Sequence, residues 1–128
     1  MKTVRFTHTG TITKSTEITN TECPFCNLGK ERELISESAT AFAIFDQFPL
    51  SNGHKLIIPK KHCADYFKLS FKEQSACWFM VNHIKPMLVK QYQPDGFNIG
   101  INVHAAGQTI PNVHIQLITR YSGDVERP

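Results

Sequence analysis

Gly107-Gln108-Thr109-Ile110-Pro111-Asn112-Val113-His114-Ile115-Gln116-Leu117-Ile118 is the stretch on which the reading of this chain turns. Its second half alternates as a strand does, so Val113, Ile115 and Leu117 point one way and Asn112, His114 and Gln116 the other, roughly 7 Å apart along the chain. A row of Asn, His and Gln has little packing value, and its bland reading is a surface face with an incidental histidine. The preceding Gly-Gln-Thr turn weighs against that reading. It brings backbone N–H groups and the Thr109 hydroxyl close to the same face, where an anion can sit.

Outward from this stretch, Pro94-Asp95-Gly96 is a turn, Phe97 to Val103 alternates enough to be a strand, and His104 to Thr109 is a small-residue loop. Ser70 and Glu73 have the spacing of a capping box, and Cys77, Val81, Ile84 and Leu88 follow at helical spacing, so a helix is expected from about Phe71. Pro86 lies inside that pattern without the N–H that would bond back to Asn82; the helix should kink or end near residues 83–85. Leu34 to Asp46 reads as one or two buried strands, Phe48 to Gly53 as a turn, and His54 to Pro59 as the next strand. Strands, helix, strands make an α+β fold, mainly antiparallel sheet with one long helix and a short helix. Residues 1–22, rich in Thr, read as an N-terminal arm with no assigned function, and 23–128 as the domain.

With 128 residues, 41% of them hydrophobic, the chain suits one domain with one core. Its net charge of +3 is scattered, and the densest basic run, Lys60-Lys61-His62, is short, which argues against a nucleic-acid partner and for a small anionic ligand. No run approaches the ~20 apolar residues that span a bilayer, and the first residues lack the apolar segment of a signal peptide. A cytoplasmic protein with no membrane partner is expected. Four cysteines do not suggest a disulfide framework in a chain with a real core, and Cys23-Pro24-Phe25-Cys26 points to a metal or redox role.

Ala106-Gly107-Gln108-Thr109 leading into Asn112 to Ile118 and Arg120-Tyr121 resembles the signature of the histidine triad (HIT) superfamily. Asp46, Gly53-His54 and Leu56-Ile57-Ile58-Pro59-Lys60-Lys61-His62 are similar to that family's first half, and the cysteine pair sits where many members carry Cys-x-x-Cys. The resemblance covers roughly residues 23 to 125 and implies a HIT-like fold and a homodimer. Gly123-Asp124-Val125 is similar to bacterial-type members, which usually run on for another strand-like segment; this chain stops at Pro128, so a C-terminally truncated form is expected. Members usually carry three alternating histidines, where this chain has Asn112, His114 and Gln116. Gln in the third place resembles the galactose-1-phosphate uridylyltransferase branch and the dinucleoside tetraphosphate phosphorylases, whereas Asn in the first place fits neither. Thr119 stands where the pattern often has proline, a change read as minor.

By this resemblance His114 is the nucleophile, attacking the α-phosphorus of a nucleotide to give a nucleotidyl-histidine. A neutral imidazole is available near pH 7 and attacks without first losing a proton, while its second nitrogen needs an acceptor such as a backbone carbonyl. Gln116 would donate to a non-bridging phosphate oxygen, but it cannot be protonated. Leaving-group support then falls to Thr109 and the backbone N–H groups of Gly107 and Gln108. Asp46 is implied as the acceptor for a ribose diol, and serves equally as a strand-end turn residue. Phe42 and Ile44 are candidates for a base pocket, or simply core; Asn102 is a candidate phosphate or ribose contact, or a polar strand end; His54 is expected to support the site from the neighbouring strand. Cys23, Cys26 and His62 have the residue types of a structural zinc site, and resemblance to the uridylyltransferase branch implies Asn112 in the fourth ligand's place. An amide oxygen is a poor zinc ligand beside thiolates, so Asn112 should weaken the site or leave water there. A redox dithiol is the competing reading of the cysteine pair, and ranks lower because the residues before it are polar. Two functions stay open: a hydrolase or nucleotidyltransferase acting on adenine nucleotides or dinucleoside polyphosphates, and a protein that binds nucleotides without turning them over.

Overall fold

A computed structural model describes residues 23–26, 33–108 and 110–125. The expected arm over residues 1–22, Thr109 and the last three residues lie outside the described residues. The elements are β1 (Leu34–Glu37), β2 (Ala41–Phe45), β3 (Lys55–Pro59), a 3-10 turn at Tyr66–Lys68, α1 (Phe71–Tyr92), β4 (Gly96–Gly100), a second 3-10 turn at His104–Ala106, and β5 (Ile115–Arg120). The strands form one antiparallel sheet in the order β1-β2-β3-β5-β4. This is the expected α+β architecture, with the first 3-10 turn as its short helix.

Strand alternation gives the sheet two buried faces. Ala41, Ala43, Ile57, Ile115 and Leu117 pack against Cys77, Met80, Val81, Ile84 and Leu88 of α1. On the opposite face Phe42, Ile44, Leu56 and Ile58 pack with Cys23, Phe25 and Ile110, so loops rather than a helix close that side. A sheet covered by a helix on one face and by loops on the other leaves the loop-covered face for a ligand.

The helix begins as its sequence predicts: Ser70 Oγ accepts from the Glu73 N–H and the Glu73 carboxylate accepts from the Ser70 N–H. It does not stop near residues 83–85 but runs through Pro86 to Tyr92. The missing bond would have gone to Asn82, which is exposed, so water can satisfy that carbonyl. The buried stripe continues past the proline to Leu88 and holds the last turns down. Tyr121 Oη–H closes the helix end by donating to the Tyr92 carbonyl at 2.7 Å. Strand limits also shift. β4 ends at Gly100 rather than Val103, and β5 starts at Ile115 rather than Val113, because the Asn112 N–H turns back to the Ile110 carbonyl and the Val113 N–H bonds to the Cys63 carbonyl.

Thr119 matters more than its minor reading allowed. It is fully buried, with its Oγ1 2.7 Å from Ser51 Oγ and accepting from the Gly53 N–H at 3.2 Å, two bonds that proline could not supply. A Cβ at Gly53 would come 2.7 Å from Thr119 Cγ2 and 3.0 Å from Tyr92 Cδ2. Gly53→Ala is therefore expected to cost about 1–3 kcal/mol, as overpacking does, and urea denaturation would show it.

Lys55 is 1% exposed, its Nζ 3.7 Å from the Phe45 ring centroid and 3.3 Å from the Gly53 carbonyl oxygen. Burial pushes its pKa down to about 8 from the ordinary 10.5. Between these values the unfolded chain holds more protons than the folded one, and stability rises with pH. Relative to Lys55→Met, the wild-type protein should gain on the order of 1 kcal/mol between pH 8 and pH 10.5, read from denaturant midpoints.

Candidate active site

The loop-covered face holds a cavity of about 330 Å³. Adjacent strands place its polar groups: Asp46 follows β2, His54 precedes β3, His114 precedes β5, and Gln116 on β5 lies opposite Leu56 on β3. The Asp46 N–H donates to the His54 carbonyl, which fixes the first two relative to each other.

His114 is 7% exposed. Its Nδ1 lies 2.9 Å from the Asn112 carbonyl oxygen, which can only accept, so the proton is on Nδ1 and the lone pair on Nε2. That carbonyl is the acceptor expected for its second nitrogen. Burial pulls the His114 pKa below the usual histidine range, against the opposing pull of the Asn112 carbonyl and of Asp46, so the ring is neutral at pH 7. The Phe25 ring meets it edge-on, with centroids 5.1 Å apart.

His54, 2% exposed, carries the opposite tautomer. Its Nδ1 accepts from the Leu50 N–H at 3.1 Å, leaving the proton on Nε2, which lies 3.3 Å from Asp46 Oδ2. That approach suffices for Coulomb attraction but is off the line of a good hydrogen bond. Burial lowers the His54 pKa, with Asp46 opposing. The other Asp46 oxygen accepts from the Phe48 N–H at 2.8 Å, a local turn bond.

Of the residues singled out in the sequence, Asp46, His54, Gly107, His114 and Gln116 line the cavity, and Phe25, Phe48, Leu50 and Ile110 join them. Phe25 could have been noticed, since it stands between the two cysteines. Other residues singled out in the sequence lie outside the cavity wall. Phe42 and Ile44 are buried in the apolar cluster beneath the cavity rather than in its wall. Asn102 sits behind the Gly107 turn, its amide near the place a Gly107 Cβ would occupy. Gln108 faces inward, 1% exposed: its Nε2 donates to the Ala64 carbonyl at 2.7 Å and its Oε1 accepts from the His104 N–H at 2.8 Å. Both ends of the amide are consumed in joining two loops. The backbone N–H groups of Gly107 and Gln108, expected to face phosphate, both donate to the His104 carbonyl. His104 in turn places Nε2 3.3 Å from Asp65 Oδ2, a cross-loop link that no sequence motif announces.

Residues 28–123 match the HIT domain family. The chain belongs to the HIT family. Its fold agrees: a Zn-bound histidine triad family protein from Mycobacterium smegmatis superposes with a TM-score of 0.76, covering 83% of this chain and 80% of that one at 28% identity. Among HIT relatives, a HIT-like protein of Mycoplasma pneumoniae is 32% identical over 80% of this chain and 74% of its own length. The adenosine 5'-monophosphoramidase of Schizosaccharomyces pombe is 30% identical over 77% of this chain and 74% of its own.

Beside this HIT cavity, Cys23, Cys26 and His62 could hold a metal ion, their ligand atoms all within 4.8 Å of one another. Cys26 Sγ is 3.0 Å from His62 Nδ1. Zinc bonds of roughly 2.0–2.3 Å put tetrahedral ligands nearly 4 Å apart, so the cluster fits with small adjustments. Burial, then the neighbouring Cys23, pushes the Cys26 thiol up to about 12, a cost that a bound cation would remove. Burial lowers the His62 pKa, leaving a neutral ring able to ligate. Asn112 does not serve as the fourth ligand: its Oδ1 accepts from the Cys63 N–H at 3.0 Å, and its Nδ2–H is what faces Cys26 Sγ, at 4.0 Å.

Proposed function

We propose that this HIT protein cleaves adenine nucleotides or dinucleoside polyphosphates at the α-phosphate, by hydrolysis or nucleotidyl transfer, through a nucleotidyl-His114 intermediate. The observation that carries this reading is the His114 ring: it is neutral, and its Nδ1–H is held by a carbonyl so that Nε2 keeps its lone pair. Nε2 attacks phosphorus and the bond to the leaving oxygen breaks. Water, or an acceptor nucleotide or sugar phosphate, then breaks the P–N bond and restores the ring. Gln116 offers an amide N–H to the oxygen on which charge builds up, as in the uridylyltransferase branch that its position resembles. Asp46 is assigned to the ribose diol and Thr109 to phosphate. The Schizosaccharomyces relative supports an adenine nucleotide as the class of substrate.

Zinc at Cys23, Cys26 and His62 belongs to the same proposal. When bound it would tie the 23–26 segment to the residues after β3, and metal analysis of protein purified without added zinc tests it. A cytoplasmic homodimer is likewise proposed, supported by the place of β4 at the sheet's edge among the described residues, with Ile99 half exposed on it; light scattering would decide the dimer. A binding-only protein is favoured by one observation, the backbone N–H groups of Gly107 and Gln108 turned to His104 rather than to a phosphate. The same experiment separates the two readings. Incubation with diadenosine triphosphate should release AMP and leave an adenylyl mass on His114 in quenched samples; nucleotide binding by calorimetry with neither product nor adduct would establish the binder instead.

A further inference from the structure

The His114 step has a proton balance that the geometry makes unusual. Attack uses the Nε2 lone pair, while the Nδ1 proton stays on the Asn112 carbonyl at 2.9 Å. The P–N bond forms, the bond from phosphorus to the leaving atom breaks, and the electron pair leaves on that atom. No proton is released in this step. The leaving atom must therefore depart as an anion or be protonated by another group in the cavity.

Among the described residues, the titratable side chains lining the cavity are Asp46, His54 and His114. His114 is the nucleophile. His54 would have to be doubly protonated to act as an acid, but its Nδ1 already accepts the Leu50 N–H in a site 2% exposed, so a second proton would break that bond. Asp46 accepts from the Phe48 N–H through one oxygen and faces the His54 Nε2–H with the other, both as an acceptor. Gln116, the remaining polar side chain in the wall, has an amide that does not titrate.

We propose that this cavity selects substrates by the basicity of the leaving group. It cleaves adenylyl anhydrides, whose leaving group is a weakly basic phosphate or sulfate oxyanion, and spares adenylyl amides and alkyl esters, whose leaving group needs a proton. The proposal rests on the nucleotidyl-His114 reading and narrows its substrate class. Gln116 is thereby a specificity-determining residue, because a titratable group in its place would supply the missing proton.

The test measures kcat/KM for AMP esters of phenols of graded acidity, for diadenosine triphosphate and for adenosine 5'-phosphoramidate, in wild type and Gln116→His. In wild type the rate should fall at least about tenfold across two units of phenol pKa, with phosphoramidate slower than the anhydride by about 10²-fold or more, the contribution general acids ordinarily make. Gln116→His should raise phosphoramidate turnover relative to anhydride turnover by a similar factor. A rate independent of phenol acidity, or phosphoramidate cleaved as fast as the anhydride by wild type, would overturn the proposal while leaving the nucleotidyl-histidine mechanism standing. Failure to turn over even the most activated ester, with no adduct on His114, would remove both. The wild-type series decides the matter even if the variant does not fold.

Discussion

His114→Ala should abolish turnover, lowering kcat by about 10³-fold or more, with no adenylyl adduct on the protein and nucleotide binding weakened far less. Three features make the effect large. The ring supplies the attacking lone pair, its tautomer is fixed by the Asn112 carbonyl, and the neighbouring polar groups do not replace it: His54 presents an N–H to the cavity, Gln116 an amide, and Asp46 has one oxygen on the Phe48 N–H and the other against the His54 ring. The substitution also removes the edge-on contact with Phe25, so circular dichroism should accompany the kinetics to show that the domain remains folded. A variant that kept the wild-type rate would rule out the nucleophile assignment, whatever its affinity for nucleotide.

Ile57→Ala should be the most damaging single change to the fold. Ile57 lies on β3 between Ala43 of β2 and Ile115 of β5, fully buried under α1. Removing its side chain loses transfer free energy and leaves a space that three paired strands and a helix cannot close, a cost of about 2–5 kcal/mol. The melting temperature should then drop by roughly 10 °C or more. Phe79→Ala on α1, where the side chain is 73% exposed, should change stability by less than about 0.5 kcal/mol and serves as the control. Equal losses at the two positions would mean that the helix-side face is not the stabilising core.

Much of the fold was legible because it rests on local patterns. Ser70 and Glu73 announced the helix start, and the apolar run ending at Phe45 announced the strand that precedes Asp46. Pro86 misled because its penalty depends on whether the orphaned carbonyl can reach water, which is a matter of the helix's outer face and not of its sequence. At the site, His114 was legible from alternation and its preceding turn. Gln108 was not, because an amide looks the same in sequence whether it meets a phosphate or ties Ala64 to His104. Asn112 was misplaced for a related reason: alternation assigned it to the row of His114, but the short turn ahead of β5 carries its side chain to Cys63.

The Thr119 hydroxyl ties the two halves of the cavity to each other. It bonds to Ser51 and Gly53, which belong to the loop carrying Asp46, Phe48, Leu50 and His54 around the cavity, while Thr119 itself lies on the strand that begins beside His114. Substitutions at 51, 53 and 119 should therefore be epistatic, each acceptable or harmful according to the other two. A chimera that took residues 46–54 from a relative with proline at position 119 would bring in a loop shaped for a different anchor. Grafts between family members should succeed when loop and strand are exchanged together, and lose binding when either is exchanged alone.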